Sequence, residues 1–537
     1  MCGFIVIEGD FDSQYNSKTL GAFSELTNTL IHRGPDDHKI VPFPNGLIGF
    51  HRLAIMDLSP SGAQPFASSK NNLLVCNGEI YNYPQLKLEC SSHHFISHSD
   101  CEVLLPLYEK WGIEKLVKNL DAEFALVIWD NAKKSLVAAR DPMGIRPLFY
   151  GKTRDQKIAF ASEVKALTSV CTEISPFPPG HYFDGNQFIC YLDLSKVENF
   201  HTDSLEVVKK NINSLLREAV KKRLQSDAEV GFLLSGGLDS SLVCAIAQEL
   251  SSRPIKTFSI GMTDDAIDSK YAKDVADYIG ANHTNVTMTV EDVMNALKKV
   301  IYHLETWDIT TVRASVGMYL VCQYIGDKTP IKVLLTGEVS DELFGYKYTD
   351  FAPNPQEFQS EAAKRIHELY LYDVLRADRS ISAHSLEARV PFSDKFFVEY
   401  VMKIPPTLKM NTTGMGKYLL RESFNVKAGE KKLLPDHILW RDKAAFSDAV
   451  GHSMVDELKA SAEKMYSDEE FRIRSKKFAH KAPFTKESLM YREIFESFYP
   501  NRAELIPDYW MPNQSWDNCK VSDPSARALP NYGASGK

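Results

Sequence analysis

Three stretches of this sequence carry side chains equipped for covalent or phosphate chemistry: Met1-Cys2-Gly3-Phe4, Val230 to Ser241 (VGFLLSGGLDSS) and Leu335 to Glu342 (LTGEVSDE). An initiator methionine followed by a small residue is normally removed, which would leave Cys2 with a thiol and a free α-amine on one carbon. Such an amine titrates near roughly 7.7–8.0, so part of it is neutral base around pH 7. One residue then supplies both nucleophile and base. In the second stretch a hydrophobic run ends in Ser235-Gly236-Gly237 and opens through Asp239 and Ser240 into a helical pattern. Backbone N–H groups of such a turn, with the helix N-terminus behind them, form an anion site suited to phosphate. The G-x-x-x-x-G-K pattern of a P-loop is absent. An acidic Asp239 beside phosphate is explained by Mg²⁺, which takes carboxylate and phosphate oxygens together. The third stretch is another acidic strand end, and Asp341 is the expected partner of Asp239 on that metal.

These residues need elements to hold them. As far as Tyr191 the pattern is of short strands with turns: Gly3 to Ile7, Gly46 to Ile55, Leu73 to Cys76, Glu123 to Trp129 and Ile158 to Ala161, with a helical stretch from Cys101 to Trp111. The polar segment Leu192 to Ser204 breaks both periodicities and marks a boundary. Beyond it strands and helices alternate. Helix Leu205 to Leu224 leads to strand Val230 to Leu234 and helix Ser240 to Leu250. Strand Thr257 to Ile260, helix Tyr271 to Ile279, strand Thr284 to Met288, helix Asp292 to Leu304 and strand Lys332 to Leu335 follow. Such alternation predicts a parallel sheet covered on both faces, with ligands at the carboxyl ends of its strands. Past Asp350 the text is largely helical, and after Trp510 it is polar without periodicity.

The bulk properties narrow the field. A chain of 537 residues exceeds one hydrophobic core and implies two or three domains. A net charge of -8 gives no reason to expect a nucleic-acid partner. No apolar run spans a bilayer and the first residues lack a basic leader, so neither membrane nor export is expected. Nine scattered cysteines, none spaced C-x-x-C, suit a reducing cytoplasm, and most read as small buried hydrophobes.

Read together, Met-Cys-Gly-Phe, His32-Arg33-Gly34-Pro35-Asp36, His51-Arg52-Leu53-Ala54-Ile55, Asn77-Gly78-Glu79-Ile80-Tyr81-Asn82 and Ser99-Asp100 resemble the class II glutamine amidotransferase domain. The resemblance implies Asn77 and Gly78 as oxyanion donors. It implies Arg52 as a fork for the glutamine carboxylate, Glu79 and Asp100 as acceptors for its ammonium, and backbone of Leu53 and Ile55 completing the pocket. SGGLDSS is similar to the pyrophosphate loop of ATP pyrophosphatases, and the fusion of the two resembles the glutamine-hydrolysing asparagine synthetases over nearly the whole chain. Asp308 to Ser315, Leu371 to Arg379, Glu387 to Phe392, Trp440 to Asp448 and Asp523 to Arg527 continue the match.

That likeness implies an α+β N-terminal nucleophile hydrolase sandwich of packed antiparallel sheets in residues 2–195. An α/β parallel-sheet synthetase domain with a helical C-terminal part follows in 205–510, then a tail in 511–537. It further implies ATP contacts at Leu233, Ile260, Thr336 and Gly337, and Glu338 as a group essential around a β-aspartyl-AMP intermediate. Thr310, Arg313 and Lys443 are implied at the phosphates or transferring groups. Glutamine, aspartate and ATP are the implied small-molecule substrates, with Mg²⁺, and a homodimer is left open. The family commonly reads SGEGSDE where this chain has TGEVSDE, so Thr336 and Val339 depart from it, as does Ala122 in LDAEFA. Two rivals stand beside this reading. One is an amidotransferase acting on another carboxylic acid; the other is a silent domain pair, against which Cys2, Asp239 and Glu338 are all present.

Overall fold

The computed structural model describes residues 1–9, 17–262, 267–426, 429–442 and 452–532. Two six-stranded antiparallel sheets occupy the first part. One runs in the order 171–176, 149–153, 158–161, 3–8, 46–52, 37–43, and the other 188–190, 181–183, 135–140, 122–130, 73–80, 66–67. They pack face to face. Phe4, Val6, Ile48 and Phe50 of the first sheet meet Val75, Val127 and Trp129 of the second. The alternate residues Ile5 and Ile7 point outward beneath the helix Ser17–Asn28, against Phe23 and Leu30. With both faces covered, the strand Gly3–Glu8 is apolar from Gly3 to Ile7 and turns polar only at its half-buried last residue. The helix Leu104–Asn119 covers the far face of the second sheet.

The third sheet is parallel, in the order 282–287, 256–261, 229–233, 331–335, 387–389. Its chain path reverses direction across the sheet between Glu229–Leu233 and Ile331–Leu335, where Phe232 pairs with Leu335. The glycine-rich turn and the TGE turn therefore leave neighbouring strand ends, which is where open parallel sheets bind ligands. The amphipathic helix Leu205–Arg223 seats Val208, Ile212, Leu216 and Val220 in this domain's core. Each buried branched side chain stabilises by about 1.5–3 kcal/mol relative to exposure.

Most expected elements are present with ends shifted by up to four residues, the helix expected from Cys101 to Trp111 running instead from Leu104 to Asn119. Among the further elements three bear on the sites. Residues 37–43 form an edge strand carrying Pro42. The helix Ile309–Lys328 follows directly on Asp308, whose side chain caps Thr311 N. Glu387–Arg389 adds a last strand to the parallel sheet. The polar tail is not loose. Trp516, Cys519 and Leu529 pack with Tyr348, Ala352 and Phe358 in one cluster.

The two parts meet through buried charges. Arg33 bonds Glu163 at 2.6 Å and Asp378 at 2.9 Å, Arg223 bonds Glu123 at 2.8 Å, and Arg389 bonds Glu79 at 2.9 Å. All seven side chains are below a tenth exposed.

Candidate active sites

The first site sits where strand Gly3–Glu8 begins. Cys2 Sγ lies 3.8 Å from the Leu53 carbonyl oxygen and faces a cavity of about 30 Å³ lined by Arg52, Leu53, Ile55, Gly78, Glu79 and Asp100. Burial pushes the Cys2 thiol up to about 11, so it needs an adjacent base to attack as thiolate. Asn77 is wholly buried on strand Leu73–Ile80, and neither end of its side-chain amide has a partner. A buried amide left unpaired is costly, and an oxyanion would satisfy its donor. Beside it Gly78 packs so closely on Glu123 and Phe124 that a Cβ would collide with their backbone.

Arg52 is aimed by carbonyls: Nη1 donates to Ser59 O at 2.7 Å and Nη2 to Asp57 O. Asp100 accepts from Ile80 N at 2.7 Å, and burial pushes it up to about 6. Burial also raises Glu79, against the Arg389 guanidinium that pairs with it, while the Asp100 carboxylate adds to the rise. The Ile55 carbonyl is taken by Asp227 N and Ala228 N, so that residue holds the seam as well as the pocket. Glu387, from the parallel sheet, closes the far wall. Sequence reasoning missed Glu387 and Arg389, because nothing local marks a three-residue strand as part of a pocket in another domain.

The second site is a cavity of about 250 Å³ at the carboxyl edge of the parallel sheet. Leu233, Ser235, Gly237, Asp239, Ser240 and Ile260 line it from one side, and Thr310, Thr336, Gly337, Glu338 and Asp341 from the other. Gly236 stands at φ +70° with Tyr271 and Ala272 where a Cβ would be, so the turn accepts no side chain there. Arg441 fastens the turn, donating to Gly236 O at 3.1 Å and to Asp268 at 2.9 Å. Thr310 Oγ1, Thr336 Oγ1 and Glu338 Oε2 are buried without partners. Glu338 Oε1 lies 3.5 Å from Arg376.

Asp239 and Asp341 converge on one cation. Lys417 Nζ is 2.8 and 2.9 Å from the Asp239 oxygens and 2.6 Å from Asp341. A pair of carboxylates that close, facing a phosphate turn, fits the donor set of Mg²⁺, with substrate oxygens and waters filling the remainder. No group of three or more His, Cys, Asp or Glu residues suited to a metal occurs among the described residues.

The structure does not bring Arg313 to this cavity. Its guanidinium is buried against Glu487, at 2.8 and 2.5 Å, and reaches Asp523 at 2.9 Å. The expectation of a phosphate contact is corrected accordingly: Nε, Nη1 and Nη2 are all engaged by two carboxylates. Its effect on the cavity runs through the tail, since Pro524, Ser525 and Ala526 line the wall next to Asp523. Lys443, with Phe446 to Asp448, lies outside the described residues. Lys417, Arg441, Trp510 and Ser525 were not singled out from sequence. Only Arg441 and Ser525 fell inside motifs that drew attention.

Val339 stands at φ +78° with its side chain buried, just ahead of helix Ser340–Phe344. The left-handed conformation costs a non-glycine residue about 1–2 kcal/mol. Here the isopropyl group packs among Leu343 and Phe344, which offsets that strain. The turn keeps its shape without glycine.

A cysteine-headed antiparallel sandwich, fused to a parallel sheet whose switch point carries a glycine-rich anion turn, defines a two-site amidotransferase of the nucleotide-using kind. Residues 1–197 match the glutamine amidotransferase domain family, and residues 211–360 and 350–524 match the asparagine synthase family. A glutamine-hydrolysing asparagine synthetase of Mus musculus is 40% identical over 577 residues, covering 100% of each chain. One of Homo sapiens is 40% identical over 572 residues, covering 99% of each. A solved glutamine phosphoribosylpyrophosphate amidotransferase of B. subtilis aligns with a TM-score of 0.30 at 20% identity, over 53% of this chain and 65% of its own, and carries no argument. This chain belongs to the family of glutamine-hydrolysing asparagine synthetases.

Proposed function

We propose that the chain converts aspartate to asparagine, taking nitrogen from glutamine and energy from ATP cleavage to AMP and pyrophosphate. The observation that carries this is the pairing of two sites in one chain. One is a cysteine pocket lined by Arg52, Gly78, Glu79 and Asp100, with a buried, unpartnered Asn77 amide next to Gly78 on the same strand. The other is a nucleotide-type cavity lined by Thr310, Thr336 and Glu338, each with an unpartnered oxygen. With Met1 removed, the Cys2 amine takes the thiol proton as sulfur attacks the glutamine amide. Asn77 and Gly78 donate to the oxyanion, and the amine hands its proton to the departing nitrogen, so that ammonia leaves a glutamyl thioester on Cys2. Water, giving a proton to the same amine, then cleaves the thioester to glutamate and the free thiol. Arg52 grips the substrate carboxylate; Glu79 and Asp100 hold its ammonium. At the second site a β-carboxylate oxygen of aspartate displaces pyrophosphate from the α-phosphorus. Ammonia then attacks the acyl carbon, AMP departs, and Glu338 accepts the proton that the nitrogen must lose. General-base help of that kind is worth roughly 10²–10⁴-fold.

Leu233, Ile260 and Gly337 are assigned to the nucleotide, and Ser235 to Ser240 to its phosphates. Asp239 and Asp341 are assigned to Mg²⁺, which would neutralise phosphate charge when bound. Lys417 is placed to follow the departing negative charge. Domain limits of 2–195 and 205–510, with 511–537 as a tail whose Trp516, Cys519 and Leu529 pack on the second domain, are part of this reading. Nine free cysteines support a cytoplasmic setting; among the described residues no helix is long and apolar enough to cross a membrane.

The test is Cys2→Ala, assayed with glutamine and separately with ammonium chloride. Glutamine hydrolysis and glutamine-driven asparagine formation should vanish, while the ammonium-driven reaction continues near its wild-type rate. Loss of both in a folded variant would break the two-site account, and amidation of a different acid would replace aspartate.

A further inference from the structure

Next to the nucleotide cavity is a second one, of about 330 Å³, to which nothing above assigns a ligand. Its lining holds Lys347, Lys409, Lys417 and Arg421 against two carboxylates, Asp350 and Asp442. Lys417 is neutralised by Asp239 and Asp341, on the nucleotide side. Lys409 and Arg421 are different.

Lys409 is 3% exposed, and its ammonium meets only uncharged oxygens, Val401 O at 3.1 Å and Gln359 Oε1 at 3.4 Å. Two acceptors serve three N–H donors. Arg421 is 2% exposed and donates to the carbonyls of Gly416, at 2.7 Å, and Leu439. Burial pulls both groups down, Lys409 to about 7 and Arg421 to about 10. Lys409 has no carboxylate near it among the described residues, and Arg421 makes no ion pair, with Asp239 and Asp442 acting on it only at longer range. Two such buried cations on the wall of one cavity are a desolvation cost that a bound anion would reduce. The shared wall indicates which anion. Tyr346, Lys417, Arg421 and Asp442 line both cavities, so whatever leaves the phosphate turn borders directly on this space.

We propose that this second cavity binds an inorganic phosphate-type anion, with Lys409 and Arg421 as its cationic contacts. The sources are pyrophosphate departing from the nucleotide cavity and free phosphate from solution. The assignment rests on the nucleotide reading of the neighbouring cavity only for the first of these. A pyrophosphate held here is separated from the α-phosphorus, so it cannot reverse adenylation before ammonia arrives.

The experiment is isothermal titration of the full chain with the nucleotide cavity first filled, in Mg²⁺, by an ATP analogue carrying a methylene between its α and β phosphorus atoms. Inorganic pyrophosphate and inorganic phosphate are titrated separately at constant ionic strength into wild type, Lys409→Met and Lys409→Arg. Wild type should bind an anion with the analogue in place. Lys409→Met should weaken that binding at least tenfold with analogue affinity unchanged, and Lys409→Arg should retain it. Lys409→Gln makes the same comparison if the methionine variant does not fold. Tighter pyrophosphate identifies the departing product as the ligand, and tighter phosphate identifies the free ion. Absence of binding by the filled wild type, or equal binding by Lys409→Met, overturns the proposal. Failure of the analogue itself to bind would instead strike the nucleotide reading. Anion binding sensitive to Lys409 would then still be measured on the analogue-free chain.

Discussion

Asp100 shows how far a single group can set conditions for the whole reaction. A glutamine ammonium is held by a carboxylate only while that carboxylate is ionised, and burial places the Asp100 transition at about 6. In the proposed role, Asp100 above that pH is charged and attracts the ammonium; below it, it is protonated and the attraction is lost. The KM for glutamine should therefore be flat from pH 8 to about 6 and rise about tenfold per unit below, as one-proton linkage requires. Initial-rate hydrolysis across pH 5 to 8 measures this, and a flat KM throughout would take Asp100 off the ammonium. At this scale the sequence was most legible where chemistry is contiguous, as in Asn77-Gly78-Glu79 or SGGLDS. It was silent where a partner comes from far away. Lys417 meets Asp239 across 178 positions, in a stretch with no recognisable pattern. Arg313 was misplaced because its type suited phosphate, while its real partners, Glu487 and Asp523, sat in text with no visible role.

Among elements, the helix Ile309–Lys328 and the tail work as a clamp and strap. Arg313 on the helix and Lys459 on the helix His452–Met465 both hold Asp523, at 2.9 and 2.6 Å. Asp523 in turn accepts from Ser525 N and Oγ, setting the turn that faces the nucleotide cavity. Asp523→Ala should raise the KM for ATP or aspartate several-fold through misplaced contacts, with little loss of stability and no change in glutamine hydrolysis. Arg313→Met should do the same and in addition cost about 3–5 kcal/mol, because Glu487 is left buried and unpaired. Substrate kinetics with denaturant unfolding separates the two; equal unfolding midpoints would show that Glu487 finds another partner. Long periodic elements such as Leu205–Arg223 were legible to within a residue or two at each end. The short ones were not. Glu387–Arg389 is too brief to show a period, and Asp37–Phe43 is an edge strand whose polar face and Pro42 hide it.

Across the whole molecule, the two parts are joined by charges that neither can leave exposed to an apolar void. Glu79, Glu123 and Glu163 of the sandwich find their cations on Arg389, Arg223 and Arg379 of the second part. Residues 1–204 alone, with Met1 removed, should hydrolyse glutamine at well under a tenth of the full-chain rate: Glu163 keeps Arg33 and Glu123 keeps Arg146, but Glu79 loses Arg389 and the pocket loses its Glu387 wall. Glutaminase assays on that fragment decide it; full activity would mean that the seam contributes nothing to the pocket. Both architectures were readable from the change of periodicity at Leu192 to Ser204. The seam was not, because packing between domains leaves no periodic trace.

That strand of three residues has one more effect, which concerns time. Ribosomes make Cys2 first and Arg389 several hundred codons later, so a nascent chain carries its thiol long before the far wall of the pocket exists. Glu387 and Arg389 must fold into the parallel sheet before they can close on Glu79, and by then the TGE turn on the neighbouring strand is formed too, with Thr336 N bonded to Arg389 O. On the prediction made for residues 1–204, hydrolysis reaches its full rate only in a molecule already able to use the ammonia, and a growing chain spends little glutamine.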